Sequence, residues 1–213
     1  MISDKRISTF INSLDQGNEP FLDELERKSL ADDVPIIRKD TQSLIRFLLS
    51  MNHPKNILEV GCAVGFSALL MATYSDPDTK ITTIEKFEKR IPVAHDNFDK
   101  YDVNKKITLL EGDAADILAK LSGQYDFIFM DAAKGQYINF LPDCKRLLTK
   151  GGLLLSDNVL QDGDVMESRF AVTRRNRTIH ERMREYLFAI KHDPELESVI
   201  LNVGDGMAMS LKL

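Results

Sequence analysis

The sequence predicts an α/β fold: a mostly parallel, Rossmann-like sheet of seven strands with helices packed on it. Three observations carry this. From Asn56 onward, short apolar, β-branched runs alternate with longer amphipathic stretches. A glycine turn follows the first of these runs, and the last two are separated by Gly204-Asp205-Gly206, an Asp-Gly hairpin signal. Ahead of the core, residues 3–15, 20–31 and 39–51 have helical spacing, with Lys39 or Asp40 near a start and Asn52-His53-Pro54 as a stop. The strands expected next are 56–60, 80–85, 106–111, 125–131 and 151–157. Between them, Phe66, Leu69, Leu70 and Ala72, then Ile138, Leu141, Leu147 and Leu148, recur near helical spacing. ESVILNV and MAMSLKL complete the set, so the sheet is expected to end in an antiparallel strand. The whole, 1–213, reads as one domain, a helical addition over 1–54 and a core over 55–213 with a soft boundary.

Bulk properties exclude several classes. With 213 residues and 43% hydrophobic content the chain buries a full core. No apolar run approaches the roughly 18 residues that span a bilayer, and the first twenty residues lack a signal-type core, so a soluble cytoplasmic protein is expected. Cys62 and Cys144 are too few for a disulfide framework and are expected to be free. A net charge of -5 argues against coating nucleic acid by overall attraction.

The segment ILEVGCAVGFSALLMA reads as strand, turn and helix, with Gly61 and Gly65 where the backbone bends and a ligand comes close. A dinucleotide fingerprint would need glycine where Ala63 and Phe66 stand, and no Gly-Lys-Ser/Thr of a P-loop is present. Glu59 precedes the turn, and Glu85 ends the next strand, where a carboxylate accepts from ribose hydroxyls. Asp113 suits an adenine amino group, and Ala114 leaves room for the ring. Together they point to an adenosine ligand without phosphates. The competing reading is a plain strand-turn-helix with Asp113 as a helix cap.

Two further strand ends carry acids: Asp131, with Lys134 three residues on, and Asp157, followed by Asn158. Two carboxylates and an amide form a hard oxygen set suited to Mg²⁺ or Mn²⁺. The four histidines and two cysteines show no zinc spacing. An ion holding two vicinal substrate oxygens would make one of them a nucleophile, with Lys134 as base or oxyanion stabiliser. The competing reading makes Asp157-Asn158 a turn and Lys134 a solvated helix start.

In order along residues 35 to 160, the glycine turn, the Glu85 strand end, EGDA, DAAK and LLLSDNV resemble the catechol and caffeoyl-coenzyme A type of O-methyltransferase. The resemblance implies S-adenosylmethionine as cofactor, Asp131, Asp157 and Asn158 as metal ligands, Lys134 as base, and Glu85 on the ribose. It adds Ser67 at the methionine carboxylate and Ile36 as an apolar cofactor contact, and counts Asp131 in both the cofactor and catalytic sets. The family's middle glycine is Ala63 here. RNRTIHERMREYL further resembles bacterial enzymes that methylate 5-hydroxyuridine at the transfer RNA wobble position, whose O5 and O4 are vicinal. This implies the anticodon loop as partner. A homodimer is expected from similarity to such enzymes.

Arg169, Arg174, Arg175, Arg177, Arg182 and Arg184 stand against a single acid, Glu181, in one segment suited to phosphates. The alternative is a solvated face of an amphipathic helix whose apolar stripe is Ile179, Met183, Tyr186, Leu187 and Ile190. A small vicinal-oxygen substrate competes with RNA, and a non-catalytic binding module competes with an enzyme.

Overall fold

The computed structural model describes residues 5–213; the start of the first expected helix, at residues 3 and 4, lies outside them. Three helices, α1 (Lys5–Ser13), α2 (Pro20–Ala31) and α3 (Lys39–Asn52), precede the core. The core then runs β1 (Asn56–Val60), α4 (Phe66–Tyr74), β2 (Lys80–Glu85), α5 (Ile91–Tyr101), β3 (Ile107–Glu111), α6 (Ala114–Lys120) and β4 (Tyr125–Met130). It continues through α7 (Tyr137–Leu147), β5 (Leu148–Ser156), α8 (Arg177–His192), β6 (Leu196–Leu201) and β7 (Met207–Lys212). Short 3-10 turns occupy Lys134–Gln136 and Gln161–Met166. His53 stops α3 in the left-handed region, φ 46°, just before Pro54.

The sheet has the order β3-β2-β1-β4-β5-β7-β6. The first five strands are parallel, and β7 runs antiparallel to both β5 and β6. The seven-stranded α/β expectation therefore holds, with two corrections. The antiparallel strand is not the edge: β7 inserts beside β5, Ser156 opposite Ala208, and β6 lies outermost. And β5 begins at Leu148, because Gly151-Gly152 forms a register irregularity inside the strand rather than its start.

Alternation along each strand divides the core into two layers. Phe127 and Phe129 of β4 face α2, α3 and α4 through Leu22, Ile45 and Leu69. Ile128 and Met130 face α7 and α8 through Leu141, Leu147 and Ile190. The stripe expected on α8 is only partly sealed: Met183, Tyr186 and Ile190 are fully buried, whereas Ile179 and Leu187 are half-buried. Each fully buried side chain of this kind stabilises the fold by about 1.5–3 kcal/mol. Among the described residues, no helix is long and apolar enough to cross a membrane. Cys62 and Cys144 are free and buried.

Candidate active site

The parallel strands all point their carboxyl ends to one edge, and a cavity of about 900 Å³ opens there. Its first wall is the glycine turn after β1. Gly61 has φ 107°, and a Cβ on it would lie 2.1 Å from the Asp131 carbonyl oxygen, so only glycine lets the β1 and β4 tips meet. Gly65, φ 87°, opens α4 against the Phe98 ring, 2.6 Å from where its Cβ would stand. Between them Ala63 is left-handed, φ 49°, at a cost of about 1 kcal/mol, and its N–H donates to Glu85 Oε2 at 2.6 Å. Glu85 Oε1 accepts from the N–H groups of Lys86 and Phe87, at 2.9 and 2.8 Å. Three backbone donors thus fix the carboxylate on the cavity wall with acceptor capacity remaining.

Asp113 is both a helix cap and a cavity-lining residue. It caps α6, accepting from Ala115 N–H at 2.9 Å, and pairs with Lys86 at 3.1 Å, while still lining the cavity. The cap and the ammonium hold its carboxyl below the usual range. Ala114, Ser67 and Ile36 also line the cavity, the last with its neighbours just ahead of α3.

Glu59 departs from the expectation of direct cofactor contact. It is fully buried and no part of the wall. It lies on the strand face that carries Ile57, towards α4, one position short of the turn-facing Val60. Its Oε2 accepts from the Thr83 hydroxyl, and Oε1 has no partner. Burial raises its carboxyl to about 7, against the pull of the Ser67 and Thr83 hydroxyls.

The second wall is acidic. Asp131 N–H donates to Val60 O and Asp157 N–H to Met130 O, both at 3.0 Å, so the ladder carries both acids to the same level just past the β4 and β5 tips. The Tyr137 hydroxyl lies 3.1 Å from Met130 O and 3.0 Å from Asp157 O, bracing both tips from below. Asn158 is left-handed, φ 55°, a conformation asparagine tolerates, and donates its N–H to Asp157 Oδ1 at 2.7 Å. Lys134 opens its 3-10 turn on the same wall.

A family model described as O-methyltransferase matches residues 12–213. This chain belongs to the O-methyltransferase family. It is 32% identical to caffeoyl-CoA O-methyltransferase 2 of Populus trichocarpa, with 82% of this chain and 73% of the relative covered. A crystal structure from Staphylococcus aureus, provisionally assigned as a caffeoyl-CoA O-methyltransferase, superposes with TM-score 0.90 at 33% identity, covering 99% and 100% of the two chains. The structure of an S-adenosylhomocysteine-bound methyltransferase from Podospora anserina gives TM-score 0.87 at 26% identity, covering 98% and 94%. With the sheet order, these similarities make the chain an S-adenosylmethionine-dependent O-methyltransferase.

In this O-methyltransferase the acidic wall is electrostatically unfinished. Burial raises the carboxyls of Asp131 and Asp157, the latter further through the charge of Asp131, and Lys134 offsets both in part. A third acid, Asp205, in the β6–β7 turn, lies on the same wall, and burial raises it as well. Lys134 and Arg38 both offset the Asp205 charge, whereas Lys134 is the cation that offsets Asp131 and Asp157. The hard oxygens of Asp131, Asp157 and Asn158 fit Mg²⁺ or Mn²⁺.

Asp205 was legible in sequence only as a turn residue. Arg38, in sequence only a candidate extension of the basic surface, donates to Asp162 Oδ1 at 3.0 Å and to Gly204 O at 3.2 Å, joining three segments at the cavity mouth. Neither sits in a motif, because long-range pairing brings them in.

The arginine segment divides. Arg182 and Arg184 donate to Gly135 O and Val165 O, both at 3.0 Å, binding α8 to the two 3-10 turns of the site. Arg177 reaches Val172 O at 3.4 Å, and Arg169 lies 3.6 Å from Glu181. Arg174 and Arg175 are exposed in the loop that leads into α8, near the fully displayed ring of Phe170 in sequence.

Proposed function

We propose that the protein methylates one of two vicinal oxygens held by Mg²⁺, and that its acceptor is 5-hydroxyuridine at the wobble position of transfer RNA, giving 5-methoxyuridine. The observation that carries the reading is the row of Gly61, Asp131, Asp157 and Asn158 along adjacent strand tips with Lys134 beside it. S-adenosylmethionine would supply an electrophilic methyl sulfonium, and a divalent cation, which Asp131, Asp157 and Asn158 would hold, would supply Lewis acidity to the acceptor hydroxyl. Glu85 fixes the ribose and Ser67 the methionine end, so the donor is aimed along the row. Lys134 takes the hydroxyl proton as the methyl group transfers.

RNA as acceptor is supported by Arg174 and Arg175, exposed in a loop tied to the site through α8, where they suit phosphates. A small vicinal-diol acceptor is the second reading, favoured by the caffeoyl-CoA enzymes among the relatives. Among the aromatic side chains of the described residues, only Phe66 and Phe140 line the cavity, a sparse wall for a phenolic ring. A homodimer, if formed, would find apolar surface on α1 and α3, where Phe10 and Phe47 are each 64% exposed.

The test is methyl transfer from labelled S-adenosylmethionine with Mg²⁺ to 5-hydroxyuridine-containing transfer RNA and to catechol in parallel, with and without chelator. Chelator-sensitive labelling of the RNA is expected. Labelling of catechol alone overturns the RNA acceptor and leaves the vicinal-oxygen chemistry.

A further inference from the structure

The sheet order arranges the site as a line. Moving from β2 through β1, β4 and β5 to β7, the tips carry Glu85, Gly61, Asp131, Asp157 with Asn158, and finally Asp205 in the turn entering β7. The cofactor end is at Glu85 and Gly61. The acceptor therefore extends past Asp157 towards Asp205.

Asp205 is held there by its whole turn. Leu160 N–H donates to its carbonyl at 3.0 Å and Val159 N–H to Gly206 O at 2.9 Å, stapling the turn to the chain just beyond Asn158. On the other side Gly204 N–H donates to Asp40 Oδ2 at 2.9 Å. Both flanking glycines are left-handed, φ 60° and 86°. Their Cβ atoms would fall 2.5 Å from Thr41 Oγ1 and 2.3 Å from Leu160 Cγ, so the turn is pressed between α3 and the post-β5 loop. The residue is 8% exposed and lines the cavity. Its Oδ1 accepts from Asp162 N–H, no donor among the described residues takes Oδ2, and the charges of Lys134 and Arg38 act on the carboxylate. One oxygen holds the residue on the cavity wall, and the other retains its capacity to accept.

We propose that Asp205 is a specificity-determining residue whose free Oδ2 accepts a hydrogen bond from an N–H next to the chelating oxygens of the acceptor. This rests on the RNA reading above. In 5-hydroxyuridine the atoms run O5, O4, then N3–H, so a ring placed with O5 nearest the donor and O4 next to it presents N3–H towards the β7 side. A catechol offers no N–H there.

The experiment compares an anticodon stem-loop bearing 5-hydroxyuridine with the same oligonucleotide bearing its N3-methyl derivative, using the intact protein with S-adenosylmethionine and Mg²⁺. Wild type is expected to lose about 10- to 100-fold in kcat/KM on N3 methylation, the range of a hydrogen bond to a charged acceptor. Asp205→Asn keeps a carbonyl for Asp162 N–H but turns an amide donor to the ring. It should methylate the parent poorly, chiefly through KM, and discriminate less than about 3-fold between the two oligonucleotides. A steric penalty from the added methyl would persist in the variant, so collapse of the discrimination isolates the hydrogen bond. Unchanged melting temperature and S-adenosylhomocysteine affinity show that the variant is folded. Equal wild-type activity on both oligonucleotides overturns the role of Asp205 with the RNA reading intact, as does equal loss on both in the variant. Chelator-sensitive methylation of catechol but of neither oligonucleotide overturns the RNA reading and this assignment with it.

Discussion

The two ends of the cavity treat their acids in opposite ways. On the cofactor side, Glu85 accepts from three backbone N–H groups and Asp113 caps a helix, so each carboxylate is already satisfied. On the acceptor side, Asp131, Asp157 and Asp205 line one cavity, burial raises all three, and Lys134, joined by Arg38 at Asp205, offsets them in part. The first arrangement is a preformed cradle for a neutral sugar and base. The second stores negative charge, and charge buried without full compensation is stable only when protons or a cation complete it.

The sharpest way to separate the ends is Asp157→Ala. Turnover should fall by at least about 1,000-fold while S-adenosylhomocysteine affinity, measured by calorimetry, stays within about 3-fold. Equal loss of both would erase the distinction. Gly61→Ala attacks the seam instead. Its Cβ would stand 2.1 Å from the Asp131 carbonyl, so the β1 and β4 tips must part. Urea unfolding should show a loss of about 3 kcal/mol or more, and cofactor and metal binding should weaken together.

The stored charge also makes a pH prediction. Glu59 has a carboxyl raised from 4.5 to about 7. The folded state therefore holds this proton more tightly than the unfolded chain, and stability falls as pH rises between those values. Asp131 and Asp157 are raised too and add in the same direction in the metal-free protein. Glu59→Gln should flatten the fall between pH 5 and pH 7.5 by up to about 3 kcal/mol, read by urea unfolding. A slope identical to wild type would place its proton affinity elsewhere. The smallest effect concerns the rim. Arg174→Glu with Arg175→Glu should weaken RNA methylation about 10-fold, more at low salt than at high, and spare stability. Unchanged RNA methylation would make that pair ordinary surface.

How much of this was legible in the sequence depended on whether a residue acts through local geometry. The strand tips at Glu85, Asp131 and Asp157 and the turn at Gly61 follow from alternation and turn chemistry within a few residues, and the chain places them as expected. Glu59 looked like a wall residue because it precedes the turn, but strand alternation aims it at α4. Asp205 was legible as a turn residue and Arg38 as surface charge, but not as parts of the site, since that role arises only when β7 inserts beside β5 and the segment before α3 crosses the mouth. The same insertion hid the true edge strand, because an Asp-Gly turn specifies a hairpin without saying which arm joins the sheet.

The proposed role of the acidic row is to bind one divalent cation beside the cofactor. Its most direct test is Mn²⁺ titration followed by electron paramagnetic resonance, with S-adenosylhomocysteine present, on wild type and Asp157→Ala. One Mn²⁺ per chain, displaced by Mg²⁺ and lost in the variant, is the expected result. Stoichiometric binding that survives the substitution would contradict it.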